Sequence, residues 1–310
     1  SFNGNDFTFL APRFIFTDVV PSGASQMGLF RKTLQSSVIK HIKINHSNIG
    51  GIQDVGLLVG DCGGIINNIE ITQSHVEHRE DLNNINGQAN IGALAGKGNA
   101  NCIIDNVSVY KTSVSGSSHN VGGIIGSTAG MIRKTQFFGD VEAHNSDNVG
   151  GIAGKLDLSG SALEVAVEGV ISSNGIDLGG IVGWIGSSAK LEDAYMKGAV
   201  YSNKFENSGS AVNVGGIVGN NSGTVARTLF IGYIEDNCTP PFTSSCQVGK
   251  ITGTGTATNS FSQSDFGTLS KGGNDGTELS DQNLRVDTQY DASWVFTTPA
   301  NNNGIWRHTT

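Results

Sequence analysis

Apolar residues along the chain do not recur at the 3.6-residue interval of an amphipathic helix. They come in short runs broken by Gly, Asn, Ser and Thr. One run has a fixed form, recurring as MGLFRK from Met27, VGLLVG from Val55, IGALAG from Ile91, VGGIIG from Val121, VGGIAG from Val149, LGGIVG from Leu178, VGGIVG from Val214 and VGKITG from Val248. Successive starts lie 28, 36, 30, 28, 29, 36 and 34 residues apart. Position one is apolar and position two is Gly in all eight copies, position four is apolar in all eight, and position six is Gly in seven. Positions one and four have opposite parity, so a flat strand would point them to opposite faces. A local irregularity is required, and Gly at position two, as at Gly122, is expected to supply a bulge with φ > 0 that returns both to one side.

Each copy continues into a second apolar run: VIKHIKI from Val38, IINNIEI from Ile65, IIDNVSV from Ile103, MIRKTQFF from Met131, then ALEVAV, KLEDAYM and TVARTLFI. In four copies a Gly and a β-branched residue two positions on follow, at Gly139 and Val141, Gly169 and Ile171, Gly198 and Val200, and Gly232 and Ile234. Units of this length with three β-rich segments and no helical period predict an all-β fold, a right-handed parallel β-helix (β-solenoid) of about eight coils. At the usual strand spacing the stack spans roughly 38 Å. The pattern divides the chain into an N-terminal cap over 1–25, the solenoid over 26–261 and a C-terminal cap or flanking segment over 262–310.

The residue before each signature is Gln26, Asp54, Asn90, Asn120, Asn148, Asp177, Asn213 or Gln247, a carboxamide or carboxylate every time. Stacked coils would align these into a polar ladder whose amides bond along the axis. A row of oxygen ligands for a cation is the alternative, but calcium needs several carboxylates converging on one point. Cys238 and Cys246 close a short loop and are expected to pair. Cys62 and Cys102 precede the second run of consecutive copies, where stacking can bring them within disulfide reach, two buried thiols being the alternative.

The signature VGGIVG, followed by a turn, an Ile- or Val-led strand, a Gly and a β-branched residue, resembles the GLUG repeat of bacterial surface and secreted proteins, over roughly 26–261. The flanks FNGNDFTF and the Trp-containing end after LSDQNL are similar to sequences that border such arrays. The resemblance implies an extracellular or cell-surface β-helical protein, a segment of a larger adhesin, and supplies no catalytic residues. Copies one and eight depart from the motif at Arg31, Lys32 and Lys250.

Composition narrows the partners. Gly makes up 44 of 310 residues without a G-x-y period, which excludes collagen; 37% hydrophobic residues are too many for a disordered chain. Lys+Arg 19 against Asp+Glu 27 gives a net charge of −8 with no basic stripe, against nucleic acid and anionic membranes. No apolar run is long enough to cross a bilayer, so a soluble chain without membrane insertion is expected. A start at Ser1 fits an excised or processed piece.

Candidate chemistry is sparse. The six-residue G-x-x-x-G runs are too short for membrane helix pairing, and the familiar nucleotide, zinc-protease, hydrolase and calcium-loop motifs are absent. No metal and no cofactor is expected. HVEHRED at His75–Asp81 holds two His and Glu77 but no third clear zinc ligand, so it reads as a solvated loop or a recognition surface. With the insertions SNKFENSGSAVN from Ser202 and EDNCTPPFTSSCQ from Glu235, it gives corner-loop binding candidates His75, Glu77, His78, Arg79, Asp81, Lys204, Glu206 and Phe242. Acid and base candidates Arg133, Lys134, Glu192 and Asp193 fall two coils apart. The alternating Thr252, Thr254, Thr256 and Thr258 recur in no other copy and read as an edge strand rather than an ice-binding face. Three functions compete: a non-enzymatic adhesin presenting corner loops to a glycan or to a host or neighbour-cell surface protein, a polysaccharide lyase or glycoside hydrolase, and a purely structural stalk.

Overall fold

Each signature builds one corner of a coil. The computed structural model of the chain describes residues 2–10, 13–15, 26–78, 89–117, 119–203, 212–236, 246–264, 273–280, 282–285, 296–297 and 306–307. In the copy starting at Val121, Asn120–Gly122 is a first short strand and Ile125–Thr128 a second. After a turn, Met131–Ala143 is a long third strand. Each pairs in parallel with its equivalents in the coils before and after. The result is a β-solenoid with two eight-stranded sheets of short strands and one thirteen-stranded sheet built on the long strands. Eight stacked signature strands enclose seven full turns, close to the expected coil count. The only described helix is the single 3-10 turn Asn283–Arg285.

The irregularity inside the signature is a corner, not a bulge. Gly122 does not have a positive φ. The chain ends one strand at Gly122, bends, and starts the next at Ile125, so Val121 and Ile124 both reach the core and have no exposed surface. Glycine is required there by crowding, since a Cβ on Gly122 would lie 2.1 Å from the Ile125 carbonyl oxygen.

The expected bulge lies instead in the long strands. Their fourth residues, His41, Asn68, Asn106, Lys134, Glu164, Asp193 and Arg227, all hold φ between 50° and 57°. One left-handed residue per coil reverses strand parity, so that Ile39, Ile42 and Ile44 in one coil, and Ile104, Val107 and Val109 in another, all face the core. Asn, Asp and His tolerate this conformation best among L residues, and four of the seven are of that kind.

The core is a set of columns of Ile, Val, Leu, Phe137, Met196 and Phe230, each residue covered by its equivalents in adjacent coils. Burial of each such side chain contributes roughly 1.5–3 kcal/mol. Copy one is a residue short across its corner, since Met27 pairs with Val55 while Phe30 pairs with Val59. Before it, Phe2–Leu10 pairs with Val38–Asn45 and occupies the end of the long sheet. At the other end Phe261–Gln263 and Thr277–Leu279 carry that sheet on past residue 261. Lys250 is buried in the last coil, its ammonium donating to the Gln263 carbonyl at 3.0 Å and to Glu278 at 2.6 Å. Leu229 and Phe230 are neighbours facing opposite sides of the sheet. Phe230 is in the main core, and Leu229 joins Phe261, Leu279 and Leu284 in a second cluster. Leu279 and Leu284, at the start of the tail, therefore lie against the flank of the solenoid.

Candidate functional site

The corner that joins each long strand to the next signature strand carries all three of the expected insertions. The chain leaves it after His78, Asn203 and Asp236 and returns at Ala89, Val212 and Cys246. In the coils between, 144–147 and 174–176 make the same connection. Arg79, Asp81, Lys204, Glu206, Phe242 and Cys238 lie outside the described residues.

His75, Glu77 and His78 are not loop residues. His75–His78 is a strand lying between Asn48–Gly51 and the end of Ile103–Gly116, with Val76 in the core. The alternation of polar residues around a β-branched one fits the sheet, and stacking on two neighbours supplies its backbone bonds. His75 Nδ1 lies 2.7 Å from Ser113 Oγ, and its Nε2 3.8 Å from the Glu77 carboxylate. His78 Nε2 lies 2.9 Å from the Ile52 carbonyl oxygen, which can only accept, so this nitrogen donates, and Nδ1 lies 3.1 Å from Ser117 Oγ. Both ring nitrogens of His78 are thus engaged. Among the described residues no three His, Cys, Asp or Glu side chains form a group that could hold a metal ion.

Beside this strand lies a feature that sequence reading missed. The first three coils carry one extra, left-handed residue, at His46, Gln73 and Lys111; Lys111 falls at a register shift and has no partner in the next coil, where Tyr110 pairs with Phe138 and Thr112 with Gly139. The residue after each, Ser47, Ser74 or Thr112, is buried and joins a hydrogen-bond chain: Ser47 N donates to Ser74 Oγ and Ser74 N to Thr112 Oγ1. This offset opens a polar groove of about 510 Å³ lined by His46, Asn48, Gln73, Ser74, His75 and Lys111. The signal was present in the sequence, since consecutive core residues lie five apart in copies one to three, as from Val109 to Val114, and four apart in later copies, as from Phe137 to Val141. A second groove, about 250 Å³, crosses the long sheet past Asn68, Glu70, Asn106, Ser108 and Tyr110.

The residues before the signatures stack in register along the first short-strand sheet. Asn90 donates to Asp54 at 2.7 Å, Asn120 to Asn90 at 2.8 Å, Asn148 to Asn120 at 2.7 Å and Asn213 to Asp177 at 2.6 Å. Gln247 is exposed, and Gln26 accepts from Arg31. Burial raises the Asp54 carboxyl above its ordinary range against the lowering pull of Asn90 and Lys97, whose ammonium lies 3.1 Å from Oδ2.

The acid and base candidates do not converge. Arg133 binds Asp105 at 2.9 Å in the preceding coil. Glu192 and Asp193 are clamped by Arg227 of the following coil, with Nε 2.7 Å and Nη2 3.0 Å from Asp193 and Nη2 2.9 Å from Glu192. The bonds to Asp193, ahead of the lesser pull of Glu192, raise the Arg227 guanidinium further above its ordinary value. Leu163 stands between Arg133 and Glu192. Thr252–Thr254 is the last strand of its sheet, with Thr252 buried, so the threonines present no flat face.

Cys62 and Cys102 form a disulfide, with Cα atoms 5.4 Å apart, and Cys246 is disulfide-bonded as well. Persistent disulfides belong to oxidising, non-cytoplasmic compartments. Among the described residues no helix is long and apolar enough to cross a membrane. Comparison with protein-family models gives no match, and neither does comparison with curated proteins.

Proposed function

We propose that this chain is a non-enzymatic binding segment of a bacterial cell-surface or secreted adhesin of the GLUG-repeat type, a rigid solenoid presenting one corner to a glycan or to a surface protein of a host or neighbouring cell. The observation that carries this reading is the groove lined by His46, Asn48, Gln73, His75 and Lys111, which adjoins the strand His75–His78 that leads into the first of the three insertions. Its volume is in the range of small-molecule sites, and its His, amide and ammonium groups suit the hydroxyls of a saccharide. The acidic and basic residues that a lyase or hydrolase would need are engaged pairwise between coils, which favours binding over turnover.

A glycan array probed with the full chain tests this. Binding is expected to fall at least tenfold in the double variant His75→Ala, Lys111→Ala, or when 79–88 is replaced by a short link like 144–147. Because His75–His78 is a stacked strand, the deletion must begin after it. Binding unchanged by both alterations, or no ligand on glycan and cell-surface panels, favours a stalk. Depolymerisation of an acidic polysaccharide favours the enzyme.

A further inference from the structure

One carboxylate in the polar ladder differs from its counterpart. Asp177 accepts from two amides, Asn213 at 2.6 Å on Oδ1 and Asn220 at 3.3 Å on Oδ2. Asp54 accepts from Asn90 on Oδ1 at 2.7 Å, but the position that matches Asn220 is Lys97. The Lys97 ammonium stands 3.1 Å from Oδ2, yet that buried oxygen has no hydrogen bond of normal geometry. Buried polar atoms without an aligned partner are rare and call for an explanation. A second carboxylate, Asp61, pairs in register with Lys97, lies largely buried in an ion pair with Lys32 at 3.0 Å, and acts electrostatically on both Asp54 and Lys97.

We propose that Lys97 and Asp54 condense into a side-chain amide after folding, a covalent tie between the second and third coils. Holding amine and carboxyl in contact replaces a bimolecular encounter by an intramolecular one. Proton transfer from the Lys97 ammonium to the Asp54 carboxylate gives a neutral amine and a neutral acid. The Nζ lone pair attacks Asp54 Cγ, and the charge that develops on Oδ1 meets the Asn90 amide donor already 2.7 Å away. Asp61 accepts the proton released from nitrogen and returns it to Oδ2, which departs as water. In balance, one ammonium and one carboxylate yield one amide and one water, with no oxidant or activating group consumed. The oxygen that leaves is the one without an aligned partner, and the one retained keeps its bond from Asn90. Burial raises the Asp54 carboxyl and eases its protonation, while Asp54 and Asp61 together hold the Lys97 ammonium up despite partial burial. The neutral pair is therefore a minor form and the reaction a slow, single maturation step. It does not depend on the adhesin reading.

Intact mass of the full chain, reduced and denatured, tests the proposal. The expected result is a mass about 18 Da below that of the sequence, the loss of one water, and a digest containing a branched peptide that joins Asp54 to Lys97. Lys97→Arg and Asp54→Asn should each show the full mass of their own sequence, and Asp61→Asn should reduce the linked fraction at least tenfold at equal times. The full sequence mass in the folded wild-type chain overturns the proposal, as does a loss that persists in Lys97→Arg. A loss of about 17 Da, the mass of ammonia, would place the bond on Asn90 and overturn it too. An unchanged linked fraction in Asp61→Asn removes Asp61 from the step.

Discussion

Gly169, Gly198 and Gly232 stack on one another with φ of 150°, 144° and 158°, a conformation that L side chains rarely adopt. A Cβ on Gly198 would stand 2.0 Å from the Gly169 carbonyl oxygen, which a packed stack cannot relieve without separating two coils. Gly198→Ala is expected to cost about 3 kcal/mol or more, read as a lower denaturation midpoint with an unchanged slope. A cost below about 1 kcal/mol would show that the coils part easily there. Tyr195 supplies a pH test. Burial, with a smaller contribution from Glu168, pushes its phenol up to about 12 from an ordinary 10.0. The folded state therefore holds this proton more tightly than the unfolded one. Its stabilising contribution is complete below the ordinary value and is lost as pH rises through the raised one. Tyr195→Phe should lose less stability than the wild type over that interval in circular-dichroism unfolding curves. Identical alkaline losses would place the Tyr195 hydroxyl in water.

At the scale of elements, the ladder and the kink column are the two devices that keep coils in register. Asn120 both donates to Asn90 and accepts from Asn148. Asn120→Ala withdraws a donor from the buried Asn90 and an acceptor from the half-buried Asn148, and should cost about 2–4 kcal/mol by denaturant unfolding. A cost near zero would mean that water replaces both bonds. In the kink column Lys134 is exposed at φ 50°. Glycine should be tolerated there or stabilise by up to about 1 kcal/mol, whereas Lys134→Val should destabilise by about 1–2 kcal/mol, reversing the usual strand preference. The solenoid, its three strands per coil and the alignment of Asn90 with Asn120 and Asn148 were legible from the repeat, because stacking turns a sequence period directly into spatial neighbours. The kink was legible too, in the three-residue gap between Ile39 and Ile42 that every copy repeats, but a parity break fits a corner and a bulge equally. The break in the signature turned out to be the corner and that in the long strand the bulge. His75 was misplaced because a high charge density resembles a loop, and nothing in four residues shows that neighbouring coils will pair with both edges. The Arg227 clamp joins residues 34 apart, and no local pattern marks such a contact.

At the scale of the molecule, the strands of each coil pair only with those of its neighbours, so stability is nearly a sum of coil and interface terms along one axis. Local ties should then have local effects. The Cys62–Cys102 bond closes a separation of 40 residues and spans only coils two and three. The chain-entropy relation for that loop gives about 4 kcal/mol. Replacing both cysteines by Ser should therefore accelerate amide exchange at Ile66, Ile71, Ile104 and Val109, and leave Ile171, Val200 and Phe230 protected as before. The Lys97–Asp54 amide would hold the same two coils and mask part of this loss, so the comparison belongs in the Lys97→Arg background, where only the disulfide remains to be removed. There the loss of protection should be full in size and still confined to the first three coils. Exchange that accelerates equally at Phe230 would show that the stack unfolds as a single unit, and a corner at one end would then be mechanically coupled to the cap at the other.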